Sequence, residues 1–441
     1  MNLCFISEQI FKQIFINFCL CKHTKLIAMS YLLKIMLLAI LLSDLTPAKA
    51  QLLTIKDAVD QAIQNNPQLN QMRSRLKQKK EEWRTQTGIS APEISFMREG
   101  MNNKAADPFQ EQRLTVSQTI DFPLTTSFRL KAINEEVKSQ QLLIQSEERR
   151  VKAEVKSLYI EVNYALGLQK LRNEQMRLST DLYEAVRHMV ESGKGNEMDL
   201  TKAELQLAEA NNEIDDVRRQ LHLARYGLFN LMGLSSENQK YTILFSDSLR
   251  SDNVEISQIQ ALAVLTNLPS YQSSERELAA SGYLLKEVKS NILPDIRFNI
   301  YKEDYGTGYN FNGIEIGLSF PIWFPFEQRG LINTTLARQG EIRWKQQEIR
   351  LDMKKQIEYA WHSYEVSRST IKRYNETINK KAEMLQSLAM TAYKKGEIDL
   401  LELINSQQIY LGIQEHYLSA MSDFQIQLAE LEKFLDRDLV Y

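Results

Sequence analysis

The chain repeats one pattern of residues at an offset of 202–203 positions. Pro92-Glu93-Ile94-Ser95-Phe96 returns as Pro294-Asp295-Ile296-Arg297-Phe298, and Asn66-Pro67 returns as Leu268-Pro269. Each copy runs from a helical stretch into two short alternating strands, a very long helix, a glycine turn and a last helix. Repeats of this length indicate a duplicated structural unit, so we expect one architecture built twice.

The repeat divides the chain into a leading segment and two copies of one unit. Each copy is expected to contain a helix, a β-hairpin, a long helix, a tip turn and a last helix. The predicted boundaries are, in chain order, residues 1–50 for the leading segment, 51–252 for the first copy with its hairpin at 92–122 and its tip turn at 193–198, and 253–441 for the second copy with its hairpin at 294–321 and its tip turn at 394–399.

The leading segment has the pattern of a secretory signal peptide that starts at Met29. Lys34 precedes an apolar run from Ile35 to Leu42, and Ala48-Lys49-Ala50 is an A-x-A cleavage site. The alternative is a membrane anchor, but the apolar run is too short to span a bilayer. We expect cleavage after Ala50, with Met1 as a misplaced start.

Composition argues against an enzyme. All three cysteines, Cys4, Cys19 and Cys21, precede Met29, so the mature chain is expected to have no disulfide and no cysteine-ligated metal. The formal net charge of −2 gives no basic surface for nucleic acid. The sequence has no phosphate loop, no G-x-S-x-G and no H-E-x-x-H motif. We therefore predict no catalytic residue, no cofactor and no metal site.

Two proline-free stretches, Thr125–Glu191 and about 331–394, predict very long helices. At 1.5 Å per residue the first would be a rod of roughly 100 Å. The second has apolar residues alternately four and three positions apart, which requires a partner helix. Ser367 and Lys381 interrupt this seam. Its positions are Met353, Ile357, Ala360, Tyr364, Ser367, Ile371, Tyr374, Ile378, Lys381, Leu385, Leu388 and Ala392.

Four segments with period-two alternation predict β-strands. They are 94–98 and 112–120 in the first copy, and 295–301 and 313–320 in the second. Each has one apolar and one polar face, and a loop joins each pair at Gly100–Pro108 and Glu303–Asn312. Packing on a soluble core is the usual alternative, but nearly all other segments are helical.

A membrane setting would suit these strands, because a transmembrane strand needs about 9–11 residues with an apolar outer and a polar inner face. Trp323, Phe324 and Phe326 suit an interfacial aromatic girdle, and ordinary packing at a helix start is the alternative. Four strands cannot close a barrel, and open edges are not tolerated in lipid. A membrane-spanning sheet therefore requires several chains, with two giving eight strands and three giving twelve.

Both copies carry the same motif at the tip turn, between the long helix and the last helix. Gly193 is followed six residues later by Asp199, and Gly396 is followed six residues later by Glu402. Together with the signal peptide and the duplicated plan, these motifs resemble the TolC family of outer membrane efflux proteins over essentially all of 51–441.

The resemblance implies a mainly α fold with a small β part. Each chain would supply long antiparallel α-helices to a coiled-coil barrel and four transmembrane β-strands to a homotrimeric twelve-stranded β-barrel in the outer membrane, with the helical part in the periplasm. The implied function is the passive exit duct of a tripartite efflux system, RND-type or similar. Its partners would be a periplasmic adaptor and an inner-membrane pump, and its cargo metal cations or drugs. The phrase Val116–Pro123 looks like the heavy-metal branch of the family.

The resemblance also implies roles at the periplasmic tip. Glu402 is the candidate for an acidic ring in the lumen. Asn405 occupies the place of a second acid, for which Asp399 is a substitute, while Asp199 and Tyr393 occupy the matching gate positions. The turn glycines that would form the adaptor-docking surface are Gly193, Gly195 and Gly396.

A capping role is the alternative for these acids. Asp399-Leu-Leu-Glu402 has the spacing of a capping box, and so has Thr201-Lys-Ala-Glu204. A second function also stays open at this point, a periplasmic coiled-coil structural or binding protein without a pore.

Overall fold

The computed structural model describes residues 51–100, 111–193, 195–235, 241–243, 255–306, 308–320, 324–435 and 437–440. The predicted signal peptide, most of the predicted loop Gly100–Pro108, and Trp323 of the predicted girdle lie outside the described residues. All described residues except Gln51, Tyr241 and Thr242 belong to one compact unit. The chain is mostly helical with a smaller β part.

The described residues of the first part of the chain form four α-helices and four strands. They are β1 (Gln51–Leu53), α1 (Ile55–Asn65), α2 (Pro67–Glu81), a 3₁₀ turn (Glu82–Arg84), β2 (Glu93–Glu99), β3 (Glu111–Ile120), α3 (Pro123–Glu191) and α4 (Glu197–Leu231), followed by the short β4 (Tyr241–Ile243).

The second part follows the same order of helix, two strands and long helices. Its elements are α5 (Gln258–Ala263), a 3₁₀ turn (Leu265–Asn267), α6 (Pro269–Ser290), β5 (Asp295–Asp304), β6 (Asn310–Ser319), α7 (Phe324–Arg373), a π-helical turn (Tyr374–Ile378), α8 (Asn379–Lys395) and α9 (Leu400–Glu432).

Proline opens three of these helices. Pro67, Pro123 and Pro269 each occupy the first helical turn of α2, α3 and α6. Proline suits this position because its missing N–H has no partner there and its φ is already helical. The repeated X-Pro pair seen in the sequence therefore marks two equivalent helix starts.

Helix α3 is the centre of the helical layer. It packs against α6 and α2 near the sheet, and against α4 and α9 further along, while α7 packs against α6 and α9. The predicted seam is buried where α7 meets this layer, since Ile357, Ala360, Tyr364 and Ile371 all belong to the main hydrophobic cluster. The partner helices required by the 3.5-residue repeat are thus α6 and α9.

The predicted seam is only partly right beyond residue 374, where its positions Ile378, Leu385 and Ala392 are half-buried. There the buried positions are Ala382 and Ala389, whereas Lys381 and Leu388 are exposed. The π-helical turn Tyr374–Ile378 explains the shift, because a π-turn accommodates one residue more than an α-turn. Every later position is therefore displaced by one residue, which also places Lys381 away from the seam.

The four longer strands form one antiparallel sheet in the order β2-β3-β5-β6. The second hairpin is longer than predicted, because β5 continues to Asp304 and β6 begins at Asn310. Both ends of the predicted loop Glu303–Asn312 therefore belong to strands. Asp304 closes the hairpin by accepting a hydrogen bond from the backbone N–H of Gly306 at 2.8 Å.

None of the helices in the described part of the chain combines the length and the apolar character needed to cross a membrane.

Candidate functional site

The sheet has one apolar face, and the register shows it row by row. Ile94 lies opposite Val116, Val116 opposite Ile300, and Ile300 opposite Ile314. Side chains opposite one another in an antiparallel sheet point to the same side. One row of four β-branched residues therefore crosses all four strands on one face.

This apolar face is exposed. Ile94 is 71% exposed and Ile314 is 75% exposed, although isoleucine is among the residues most often buried in folded proteins. Phe96, Leu114, Ile316 and other side chains of the same face are also exposed. A continuous exposed apolar surface of this kind marks contact with a partner or a membrane.

The opposite face of the sheet is polar. The next row along consists of Glu93, Ser117, Asn299 and Glu315, which again face one another across all four strands. Ser117 and Asn299 are hydrogen-bonded through their side chains. Apolar and polar rows therefore alternate over the part of the sheet nearer the helices, as in a wall between lipid and water, whereas Arg98, Asp304 and Asn310 make the apolar face polar at the hairpin end.

An ion pair that sequence reasoning missed joins β3 to β5 on the polar face, near the hairpin end of the sheet. The Arg113 Nε donates to a Glu303 carboxylate oxygen at 2.9 Å, and its guanidinium lies 5.3 Å from the centre of the Tyr301 ring. Gly313 leaves room for that ring, because a Cβ there would overlap it. Alternation alone places Arg113 on the polar face, but only the register between β3 and β5 identifies its partner.

The sheet has two unpaired edges within the described chain, one on β2 and one on β6. β2 leads toward the hairpin end of the sheet, and β6 returns from it. A β6 edge of one copy and a β2 edge of another therefore have the right directions for antiparallel pairing.

Charged and hydroxyl groups fasten the sheet to the helices. Arg129 on α3 forms ion pairs with Asp121 at 2.8 Å and with Glu287 on α6 at 2.6 Å. The Ser290 hydroxyl donates to the Thr125 hydroxyl at 2.9 Å, so the end of α6 is tied to the start of α3. The strands thus continue into the helical layer through defined contacts.

At the other end of the helices, two glycine turns form the tip. Gly193 and Gly396 have φ values of +72° and +76°, a left-handed conformation that favours glycine. Gly396 caps α8 by donating its N–H to the Tyr393 carbonyl at 2.9 Å. Gly195 is needed for space, because a Cβ there would lie 2.6 Å from the Val190 backbone nitrogen.

Asp399 is the N-cap of α9, as one predicted capping box requires. Its carboxylate accepts the backbone N–H of Glu402 at 2.9 Å, which is the Asp399 half of the box. The capping box predicted at Thr201–Glu204 is wrong. α4 already begins at Glu197 with Asn196 as N-cap, and the Thr201 hydroxyl donates to the Glu197 carbonyl inside the helix.

The structure places Tyr393 within electrostatic reach of Asp199. Burial, and then the negative charge of Asp199, raise the pKa of the Tyr393 phenol above its ordinary value. Asp199 also pairs with Lys202 at 3.4 Å, a partner that sequence reasoning missed although the (i, i+3) spacing indicates it. An apolar cluster of α3, α4, α8 and α9 residues, including Leu182, packs beside these polar groups.

Glu402 and Asn405 lie apart from that cluster. Both are exposed, and at (i, i+3) spacing they share one face of α9. The buried face of the same turns carries Leu403 and Ile404. The N-cap hydrogen bond thus involves only the backbone N–H of Glu402 and leaves the Glu402 carboxylate free to face solvent.

The amino-acid sequence is similar to that of known outer membrane efflux proteins. The family model described as outer membrane efflux protein matches residues 58–234. The cobalt-zinc-cadmium resistance protein CzcC of Cupriavidus metallidurans is 22% identical over 289 residues, which are 65% of this chain and 68% of that protein.

Solved structures agree over a larger part of the chain. CusC, whose crystal structures concern folding and transmembrane channel formation, is 16% identical with a TM-score of 0.74, covering 86% of this chain and 91% of that one. The CmeC outer membrane channel of Campylobacter jejuni is 15% identical with a TM-score of 0.73, covering 86% and 85%. At these identities the similarity concerns the fold.

Proposed function

We propose that the chain is an outer membrane efflux protein of the TolC-like family and that three copies of it close into one twelve-stranded barrel continued by a helical tunnel. Proteins of this family are channels rather than enzymes, and this chain is the exit duct of an efflux system, with its helical part in the periplasm. The duplicated arrangement inferred from the sequence would give each copy two similar parts of the tunnel wall.

The observation that carries the proposal is the pair of rows on the sheet. The apolar row that runs across the strands from Ile94 to Ile314 and the polar row that runs from Glu93 to Glu315 both cross all four strands. Such a sheet satisfies lipid on one side and water on the other, but its β2 and β6 edges leave backbone groups unpaired. In hydrocarbon each unpaired group costs several kcal/mol, so closure with other copies removes the largest penalty.

The helical layer supports the same closure. Its flanking helices carry exposed apolar side chains, with Leu205 and Leu223 on α4 and Met384 and Leu388 on α8. α4 belongs to the same part of the chain as β2, and α8 to the same part as β6. Every copy would thus offer one flank to the preceding copy and the other to the next. A head-to-tail contact of this kind closes into a ring when the rotation fits.

The proposed partners are a periplasmic adaptor and an inner-membrane pump. The turns at Gly193, Gly195 and Gly396 are the proposed adaptor-docking surface, because they form the exposed end of the helices. For the cargo we propose metal cations, since the relative CzcC is a cobalt-zinc-cadmium resistance protein. Drugs are the competing cargo. Metal and drug susceptibilities of a deletion strain separate the two.

The non-pore coiled-coil alternative is not favoured, because it gives the exposed apolar rows of the sheet no partner.

We also propose that Glu402 faces the lumen, with Asn405 on the same face and with Asp199, Tyr393 and Asp399 holding the gate turns. Three symmetry-related carboxylates around one axis would attract cations. Glu402→Ala is expected to weaken the block of single-channel conductance by divalent cations. It leaves the cap intact, because Asp399 binds the backbone N–H of residue 402. Unchanged block in the variant would leave Glu402 no role in the gate.

Disulfide trapping at the sheet edges tests the ring. Residues 51–441 contain no cysteine, so in a chain that starts at residue 51 every disulfide comes from the introduced pair. Ser95→Cys on β2 combined with Glu315→Cys or Gly317→Cys on β6 places both thiols on the polar face. Oxidation in membranes should give a ladder that ends at three chains. The control pair Ile94→Cys with Glu315→Cys has thiols on opposite faces and should stay monomeric. A ladder that continues beyond three, or none in any register, contradicts the trimer.

A further inference from the structure

A cavity lies where the sheet meets the helices, between the segment before β2 and the first three turns of α3. It has a volume of about 520 Å³, within the range of ligand-binding pockets. Its walls contain Ile89, Ile120, Pro123 and Leu130. The polar residues of the lining are Thr87, Asp121, Thr126, Ser127, Lys131 and Asn134.

The apolar end of this cavity continues the lipid-facing side of the sheet. Ile89 forms an isolated antiparallel bridge with Ile120, and Ile120 lies opposite Ile296. This register places Ile89 and Ile120 on the same face as the apolar row Ile94–Ile314. The cavity therefore opens on the membrane side of the junction, directly beneath the exposed apolar rows.

Gly88 allows the loop to come this close. It has a φ of +71°, and a Cβ there would lie 2.5 Å from the Thr126 hydroxyl oxygen. The Gly88 carbonyl accepts the Asp121 backbone N–H at 2.7 Å, which fixes the loop against the end of β3. The wall of the cavity is thus held by backbone hydrogen bonds.

The other end of the cavity is polar and positively charged. Lys131 and Asn134 are exposed and lie on α3 beyond Pro123. From Pro123 to Asn134 the helix rises by about 16 Å, directed from the sheet toward the periplasm. Between the two ends the Thr126 hydroxyl oxygen is buried beneath Gly88 and does not face the cavity.

We propose that this cavity binds one glycerophospholipid of the periplasmic leaflet. An acyl chain lies along Ile89 and Ile120, the glycerol backbone lies between them and Leu130, and the phosphate contacts the Lys131 ammonium. The order of these groups matches a lipid with its chains toward the membrane centre and its headgroup toward the periplasm. The inference rests on the proposed function, because it takes the apolar face of the sheet as the membrane face.

Photolabelling of the full-length mature protein tests the inference. The protein is reconstituted in phosphatidylcholine vesicles that contain a small fraction of phosphatidylglycerol with a diazirine on one acyl chain. Labelled peptides are then mapped by mass spectrometry. Peptides that cover residues 87–89 and 123–134 should be labelled more heavily per residue than the strand residues Ile314 and Ile316, because a bound lipid stays longer than an annular one.

Two pairs of variants sharpen the test. Lys131→Glu should lower labelling of the cavity by about fivefold, as expected for one basic group near a phosphate, and Lys131→Arg should keep it. Lys152→Glu, further along the same helix, is the matched control. Leu130→Glu should abolish labelling of the cavity, whereas Leu143→Glu on the same helix should not. If Leu130→Glu fails to fold, labelling of the cavity in Lys131→Glu and Lys131→Arg tests the inference alone.

Three results would overturn the inference. Labelling spread evenly over the sheet would mean annular lipid alone. Loss of labelling on addition of excess inorganic phosphate would mean that the cavity is a free-phosphate site. If the cavity is not labelled but cross-links to a second copy, it is a contact between subunits. In each case labelled strands still support the proposed function. Labelling absent from both strands and cavity would contradict the proposed function itself.

Discussion

The sheet and the long helices treat apolar side chains in opposite ways. On the sheet, Ile94, Ile300 and Ile314 are exposed, whereas Val151 and Ile357 on α3 and α7 are fully buried. Both regions obey a regular apolar period, two residues in the strands and 3.5 in the helices. The helices of one chain bury their stripe against one another, but the sheet has nothing in its own chain to pack against. The difference indicates that the sheet, unlike the buried seam of the helices, has its partner outside the chain.

The largest expected effect comes from charges on the apolar face of the sheet. The double variant Ile314→Lys, Ile316→Lys should be lost from the outer membrane fraction, because each lysine at the bilayer midplane costs about 2–4 kcal/mol. Quantitative immunoblotting of separated membranes measures this loss. Glu315→Lys lies between the two positions on the polar face and should insert at the normal level. Equal insertion of both variants would break the contrast between the faces.

The next effect tests the buried side of the comparison. Tyr364 is 0% exposed and packs against Phe424 with ring centres 5.8 Å apart. Tyr364→Ala should lower the free energy of unfolding by about 3–5 kcal/mol, as for other buried aromatic residues. Tyr309→Ala in the β5–β6 turn, where the side chain is exposed, should change it by less than about 0.5 kcal/mol. Denaturant unfolding in detergent measures both, and similar losses would contradict the assignment of a helical core.

The smallest effect concerns the tip, where the helices end. Asp399→Ala removes the N-cap of α9 and should cost about 1 kcal/mol. The loss should appear as faster hydrogen exchange in the first turn of α9, with the sheet unchanged. Asp399→Ser keeps an acceptor and should exchange nearly as slowly as the native tip. Equal exchange in both variants would mean that the carboxylate does not hold this turn.

Much of the fold follows from local patterns in the sequence. Proline-free stretches gave α3 to within two residues, since its start at Pro123 and its end at Glu191 both carry local signals. Period-two alternation located all four long strands. The pairing of β3 with β5 was beyond such reasoning, because it joins residues far apart in sequence and depends on how the two hairpins meet.

The errors have physical causes of the same kind. The predicted seam positions after Tyr374 are displaced because a π-turn inserts one residue. No local residue pattern indicated this π-turn. The capping box at Thr201 failed because Asn196 offers an earlier cap, and the helix begins at the first good one. At the tip, the residue types pointed to Asp199, Tyr393 and Glu402, but only the folded turns show that Tyr393 lies within electrostatic reach of Asp199 while Glu402 stays exposed.

The most direct test of the account is the mass of the particle extracted from outer membranes in detergent, measured by light scattering with the detergent contribution subtracted. The account predicts a protein mass of three mature chains and no release of the protein without detergent. A monomer or dimer that is released without detergent would contradict the twelve-stranded duct, and the exposed apolar rows of the sheet would then need another partner.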